Sequence, residues 1–139
     1  MRLLIFLFFL VAACVAAPPR PTLAPLPIGD AARGKILYER PVLGGNAAPG
    51  CITCHSLAPR VLLVGPSLND IGSRAEVFVV SAAYTGRAKT PADYLHEAIV
   101  QPDAYVAIGF KPGVMYQKFN DDLTPHEIAD LVAYLLTLR

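Results

Sequence analysis

Two cysteines and a histidine stand together in the stretch Cys51-Ile52-Thr53-Cys54-His55. The pattern C-x-x-C-H is the attachment signal of a c-type haem. Cys51 and Cys54 lie about one helical turn apart, so both sulfurs can reach the vinyl groups along one edge of a porphyrin. His55 then falls beneath the iron, where its imidazole can serve as the proximal ligand. The stretch therefore predicts one covalently bound haem c.

A C-x-x-C pair has two other interpretations, a redox dithiol and half of a zinc site. A thioredoxin-like dithiol requires a βαβ setting, which the flanking sequence does not offer. A four-ligand zinc site requires further Cys or His at ligand spacing, and none lies close by in the sequence. The haem interpretation is therefore favoured.

Length and charge limit the class of protein. The chain has 139 residues, enough for one small domain and a leader. Its formal net charge is +1, from twelve basic and eleven acidic residues. Without Arg2, which lies in the leader, eleven basic residues face eleven acidic ones. A nucleic-acid-binding domain would show a basic excess, so we expect no nucleic-acid partner.

The N-terminus has the pattern of an export signal. Arg2 supplies a positive n-region, and residues 3–11 form an apolar h-region that small residues follow. This apolar run is shorter than the roughly 20 residues that cross a bilayer. An uncleaved membrane anchor is the alternative.

The sequence VAAC at positions 11–14 resembles a bacterial lipoprotein box, which is cut just before a cysteine that receives diacylglycerol. This interpretation also accounts for the third cysteine, since the other two take haem. An ordinary cut after Ala17 would place Pro18 beside the scissile bond, which is unfavourable for cleavage. We therefore predict lipidation of Cys14, which would hold the protein to a membrane surface.

The predicted organisation has three parts. Residues 1–13 form the export signal, and residues 14–28 form a lipid-anchored linker. Five of the positions from 18 to 27 are prolines, which indicates that the linker is a stiff, extended spacer. A disordered tail with no function is the alternative. Residues 29–139 form the folded domain. The protein is expected at the outer face of the cytoplasmic membrane or in the periplasm.

Helical signals dominate the folded domain. Asp30 can cap a first helix, and Thr90 can cap a later one. Thr124 and Glu127 form a capping box at the start of the last helix, which apolar residues then follow at helical spacing. Residues 76–80 have a strand-like composition but are short and isolated. We therefore expect a mainly helical domain.

These pieces, in this order, resemble the class I monohaem cytochromes c over residues 29–139. The resemblance rests on the C-x-x-C-H motif, a loop with a methionine, a closing helix and a short turn, namely Gly65-Pro66-Ser67-Leu68. It implies an all-α fold of three to five helices around one covalent haem. It also implies that a glycine of the first helix meets an aromatic residue of the last, here Gly34 and Tyr134.

The sequence departs from the family pattern at one position and also resembles a second group of proteins. The residue after the loop methionine is often proline in this family, and here it is Tyr116. The closing block from Tyr94 onward also resembles, more weakly, the cytochrome c domains of respiratory complexes. That likeness implies redox proteins of such a complex as partners.

The sixth iron ligand must be found outside the motif. Met1 and Met115 are the two methionines, and Met1 begins the export signal. Met115 lies in a loop shaped by Gly and Pro before the last helix, so we predict that it is the sixth ligand, with His55 as the fifth. A core-filling methionine is the alternative. His96 is expected to be a solvated helix residue and His126 an exposed residue of the last helix.

Further residues are expected to support the haem. A ligating histidine commonly donates its second ring N–H to a carbonyl, and the resemblance implies that of Pro66 for His55. Arg74, Tyr84 and Arg87 are candidates for anchoring the propionates by charge-assisted or phenolic hydrogen bonds. Ordinary surface roles are the alternative for these three residues.

Ligation by His and Met leaves the iron no open site, which favours one-electron transfer over catalysis. The first hypothesis is an electron carrier on the outer face of a bacterial membrane, and the second is a fixed redox subunit of a respiratory or photosynthetic complex. The third is a haem enzyme or gas sensor with a labile sixth ligand. The balanced charge predicts a partner contact that long-range steering does not dominate.

Overall fold

A computed structural model of the chain describes residues 23–139. The export signal predicted for residues 1–13 and the lipid site predicted at Cys14 lie outside the described residues. The described part is mainly helical, as predicted. Its helices are α1 (Ala31–Tyr38), α2 (Cys51–Cys54), α3 (Ile71–Phe78), α4 (Pro91–Val100), a 3₁₀ turn (Pro102–Ala104), α5 (Phe119–Asp122) and α6 (Pro125–Thr137).

Four of these helices, α1, α3, α4 and α6, have 8, 8, 10 and 13 residues, which agrees with the expected three to five. The helices α2 and α5 have 4 residues each, about one turn, and their shortness hides them from a periodicity analysis. All three predicted helix starts are present. Asp30 caps α1, and capping boxes begin α4 at Thr90 and α6 at Thr124.

A short β-hairpin, with two residues in each strand, lies between α1 and α2. The composition of this segment indicates a loop. Its strands are β1 (Val42–Leu43) and β2 (Ala48–Pro49), and they pair antiparallel. Leu43 and Ala48 lie opposite each other and are both buried. The hairpin holds the chain in place where it enters α2.

The crossing of α1 and α6 positions the two ends of the domain. A Cβ atom on Gly34 would lie 1.9 Å from the carbonyl oxygen of Asp130 and 2.8 Å from Cβ of Tyr134. Only a glycine permits this approach, so the predicted contact between Gly34 and Tyr134 is confirmed. Arg33 Nε donates to Asp130 Oδ2 at 2.7 Å and ties the same crossing from its exposed side.

Helix α3 includes residues 76–78 of the short stretch with strand-like composition, in agreement with the expected mainly helical domain. Its residue Ala75 is fully buried, and the backbone N–H of Gly72 donates to the carbonyl of Leu138 at 2.8 Å. The ring of Phe78 packs against that of Tyr94, with centroids 5.3 Å apart. Packing against α4 and α6 therefore outweighs the local preference of valine and phenylalanine for strands.

The end of the predicted linker contacts the domain. Residues 23–27 border a groove with α4 and α6, and the half-buried Leu26 packs against the core. The predicted spacer therefore overlaps the packed domain, because its leucines bury apolar surface that a proline-rich tail alone would lack. None of the helices in residues 23–139 combines the length and apolar character needed to cross a membrane.

Candidate haem site

A largely apolar cavity opens beside α2 and extends to the loop before α5. It brings together residues that are distant in the sequence, from the motif to the last helix. Its lining includes Cys51, Cys54, His55, Val64, Gly65, Pro66, Leu68, Ile71, Arg74, Phe78, Tyr94, Leu95, Ile99, Val114, Met115 and Leu135. The predicted cysteines, histidine and methionine therefore share one cavity.

The motif cysteines lie on one side of the single turn α2. Cys51 and Cys54 line the cavity, whereas Ile52 and Thr53 between them are exposed. The turn is closed by the backbone N–H of His55, which donates to the carbonyl of Cys51 at 2.9 Å. Burial raises the pKa of the Cys51 thiol to about 11, so this thiol stays protonated in the polypeptide without haem.

The imidazole of His55 is held in one orientation. Its Nδ1 lies 2.9 Å from the carbonyl oxygen of Pro66, so Nδ1 donates its hydrogen there and Nε2 keeps its lone pair. This is the hydrogen bond that the resemblance implied. Burial lowers the pKa of His55 and favours the neutral form that binds a metal.

Two further residues hold His55, and the sequence analysis gave neither a role. Gly65 lies flat against the imidazole, because a Cβ atom there would stand 2.4 Å from Cε1 of His55. Tyr38 is fully buried, and its hydroxyl donates to the His55 carbonyl at 2.9 Å. The position of Gly65 in the turn before Pro66 was an available signal. Tyr38 had none, since it stands 17 residues from His55.

Met115 is half-buried and packs against the core where it lines the cavity. Its loop turns at Gly113, where φ is +74° and the N–H donates to Asp103 Oδ1 at 2.8 Å. Tyr116, at the position where proline is common in the family, donates its hydroxyl to Asp122 Oδ2 at 2.5 Å. The hydrogen bond of Tyr116 therefore fixes the loop at the position where this sequence lacks the proline common in the family.

The three residues predicted to anchor propionates differ in position. Arg74 lines the cavity, and its Nε donates to Asp70 Oδ1 at 2.7 Å. Tyr84 donates its hydroxyl to the buried carboxylate of Glu97, and the backbone N–H of Arg87 donates to Glu97 Oε1 at 3.0 Å. The structure therefore brings Arg74 to the cavity but neither Tyr84 nor Arg87.

The other two histidines stay away from the cavity lining. The expectation that His96 is solvated is wrong, since only 7% of its surface is exposed. The cause is tertiary packing, because His96 faces the groove that α4 forms with α6 and residues 23–27. His126 is exposed in the first turn of α6, as expected.

The donor set fits a c-type haem. Two thiols, one neutral imidazole and one thioether border a mostly apolar cavity, which is the chemistry of covalent attachment and axial ligation. Within residues 23–139, no group of three or more His, Cys, Asp and Glu side chains is placed to hold a metal ion.

Comparison with known families gives the same result. The protein-family model described as Cytochrome c matches residues 31–139. A search among curated proteins finds no significant match. The family match contains the motif, the loop with Met115 and all six helices of the described part. The chain belongs to the cytochrome c family, so it carries covalent haem c and functions in haem-based electron transfer.

Proposed function

We propose that this cytochrome c transfers single electrons with His55 and Met115 as the two axial ligands of the haem iron. The observation that carries this proposal is that Met115 lines the same cavity as Cys51, Cys54 and His55. It is also the one methionine of the predicted domain. A bound haem supplies the one-electron chemistry, and a thioether ligand favours its ferrous state and raises the reduction potential.

The side chains of the cavity set the conditions for this transfer. The Pro66 carbonyl orients the imidazole of His55 and raises its basicity as a ligand. Apolar residues such as Leu95 and Leu135 line the cavity and would keep water from a haem bound there. A haem iron held by both His55 and Met115 would have no open site for oxygen or peroxide.

We further propose that the protein acts at the outer face of a bacterial membrane, as a mobile carrier or as a fixed subunit of a respiratory or photosynthetic complex. The lipoprotein-like sequence ending at Cys14 supports a lipid tether. A tether would confine the domain to the membrane plane and raise its effective concentration at a redox partner. The resemblance of the closing block to domains of respiratory complexes supports the same setting.

Replacement of Met115 by alanine tests the ligation. We expect loss of the thioether-to-iron band in the far-red spectrum and a fall in potential on the order of 0.1 V, out of the roughly 0.8 V that axial ligands span. His126→Ala is the control, because His126 is exposed and away from the cavity. An unchanged spectrum and potential in Met115→Ala would contradict the proposal.

Two measurements test the proposed membrane attachment and the role as carrier or fixed subunit. The intact mass of the native protein should show a diacylated N-terminus at Cys14, and a mature N-terminus beyond that residue would exclude the tether. Detergent solubilisation followed by sizing separates the two roles. Co-migration with large subunits indicates a fixed subunit, and migration alone indicates a carrier.

A further inference from the structure

Asp103 is an acidic residue at the edge of the haem cavity to which the sequence analysis gave no role. It lines the cavity together with Met115, although it is exposed. Its Oδ1 accepts a hydrogen bond from the backbone N–H of Gly113 at 2.8 Å. Gly113 stands two residues before Met115 in the sequence. The carboxylate therefore contacts the loop that carries the proposed sixth ligand.

Asp103 stands on a well-packed element. It is the middle residue of the 3₁₀ turn Pro102–Ala104, and the residues on both sides of it, Pro102 and Ala104, are buried. The hydroxyl of Thr85 donates to the carbonyl of Ala104 at 2.6 Å and fixes this turn from outside. The fold therefore presents the carboxylate from a base that the rest of the domain holds in place.

The loop at the other end of this bond has little support from packing. Residues 111–114 are all exposed, and Ile108 shows 91% of its surface to solvent. A Cβ atom on Gly109 or Gly113 would meet no atom within 4 Å. Segments with few buried contacts open at low free energy, so a single hydrogen bond matters more here than in the core.

Two other side-chain bonds close to Met115 lie on its other side in the sequence. The hydroxyl of Tyr116 donates to Asp122, and Gln117 Nε2 donates to the Met115 carbonyl. Both donors follow Met115, whereas the bond of Asp103 holds the residues before it. Met115 is thus held from both directions along the chain.

We propose that Asp103 is a positioning residue that keeps Met115 in place as an iron ligand by holding Gly113. The inference rests on the proposed function, because it takes Met115 to be the sixth ligand. When Met115 leaves the iron, its exposed loop moves and the bond between Asp103 and Gly113 opens with it. The bond therefore stabilises the ligated state relative to the open state.

The affinity of the oxidised holoprotein for imidazole measures this difference. Imidazole binds the iron where Met115 has left it, and its binding is followed by loss of the thioether-to-iron band in the far-red spectrum. The apparent Kd falls as the fraction of molecules in the open state rises. A bond that stabilised both states equally would leave this Kd unchanged, so the measurement separates a positioning role from a merely structural one.

Two variants of Asp103 separate its hydrogen bond from its charge. Asp103→Ala removes the acceptor, and we expect it to lower the apparent Kd for imidazole about tenfold, the effect of one ordinary hydrogen bond. Asp103→Asn removes the charge but keeps an oxygen that can accept from Gly113, so its Kd should stay within about threefold of the wild type. Glu39→Ala is the control, because Glu39 is exposed and does not line the cavity. It should match the wild type.

Hydrogen exchange in the reduced holoprotein gives a second readout, which needs no displacement of the ligand. The N–H of Gly113 should exchange more slowly than that of Val114, which makes no described hydrogen bond. Asp103→Ala should remove this protection, and Asp103→Asn should keep it.

Three results would overturn the inference. The first is a wild-type affinity for imidazole in Asp103→Ala. The second is an equal gain of affinity in both Asp103 variants, which would assign the effect to the charge. The third is exchange of Gly113 in the wild type as fast as that of Val114. Failure of the proposed function looks different, because the wild type would then lack the far-red band and Met115→Ala would leave the affinity for imidazole unchanged.

Discussion

The two proposed iron ligands stand in regions that are held very differently. His55 is fixed by the Pro66 carbonyl on its ring, by Gly65 against its ring face and by Tyr38 on its own carbonyl. The loop of Met115 has a long exposed stretch and depends on a few bonds from side chains, such as that of Gln117 Nε2 to the Met115 carbonyl at 2.8 Å.

This difference indicates that the two sides of the site become ordered in different ways. The polypeptide alone preorganises the His55 side, whereas the proposed bond to iron would supply much of the order on the Met115 side. Segments with few buried contacts open at low free energy, so we expect ligand exchange and local opening on the Met115 side. The predictions below test this contrast, from the largest expected effect to the smallest.

Of the substitutions considered, Gly65→Ala should lower the stability of the holoprotein most, because it disturbs the packing around His55. The new Cβ would lie 2.4 Å from Cε1 and 2.8 Å from Nδ1 of His55, so the imidazole or the turn must move. We expect a loss of about 3 kcal/mol in the free energy of unfolding, measured by denaturant titration of the holoprotein. Gly45→Ala is the control, since no atom lies within 4 Å of a Cβ there. Equal stability of the two variants would refute the close packing on the ring.

Tyr38→Phe should have the next largest effect. It removes the hydroxyl that donates to the carbonyl of half-buried His55, which costs about 1.5 kcal/mol. Thermal unfolding of the holoprotein measures the change. The control Tyr134→Phe removes a hydroxyl that makes no described hydrogen bond and should cost less. A larger loss in Tyr134→Phe than in Tyr38→Phe would mean that the His55 carbonyl does not depend on Tyr38.

Tyr116→Phe tests the Met115 side. The substitution breaks the bond to Asp122 but leaves the core intact, so we expect a change in unfolding free energy of less than about 1 kcal/mol. Added imidazole should nevertheless displace Met115 several times faster, as followed in the far-red spectrum. Tyr38→Phe should lower stability without this acceleration. Faster displacement in Tyr38→Phe than in Tyr116→Phe would reverse the proposed contrast.

Acid should act on the Met115 side through Asp122. Hydrogen bonds from Asn46 and Tyr116 hold the pKa of Asp122 below its usual value of 3.8. The folded pKa lies below the unfolded one, so this stabilisation is present above the unfolded value and is lost as the pH falls through the folded value. Loss of the thioether-to-iron band in the far-red spectrum should therefore set in over that acid range, without any added ligand.

Asp122→Asn should remove this acid dependence, whereas Asp121→Asn, at the neighbouring exposed position, should keep it. An acid dependence that survives in Asp122→Asn would assign the effect to another group.

The fold was predictable where the signals are local. Asp30, Thr90 and Thr124 cap helices through neighbours within three residues, and their positions follow from the sequence. The motif at Cys51 is local in the same sense. Helix α3 was not predictable from the valine-rich stretch at its end, because its position depends on contacts with α4 and α6, which lie far along the chain.

The candidate site, too, could be predicted only where its signals are local in the sequence. The ligand candidates follow from the motif and from the small number of methionines, and Pro66 follows from a family resemblance. The hydrogen bond of Tyr38 to His55 is visible only in the folded chain, and the turn before Pro66 marks Gly65 without showing its contact with the imidazole. The burial of His96 likewise depends on residues 23–27, whose proline-rich sequence predicts a spacer.

X-ray absorption at the iron K edge of the oxidised holoprotein tests the central claim most directly. The account predicts one sulfur and one imidazole nitrogen on the iron besides the porphyrin nitrogens, and loss of the sulfur in Met115→Ala. Two axial nitrogens, or a single axial ligand, would contradict it.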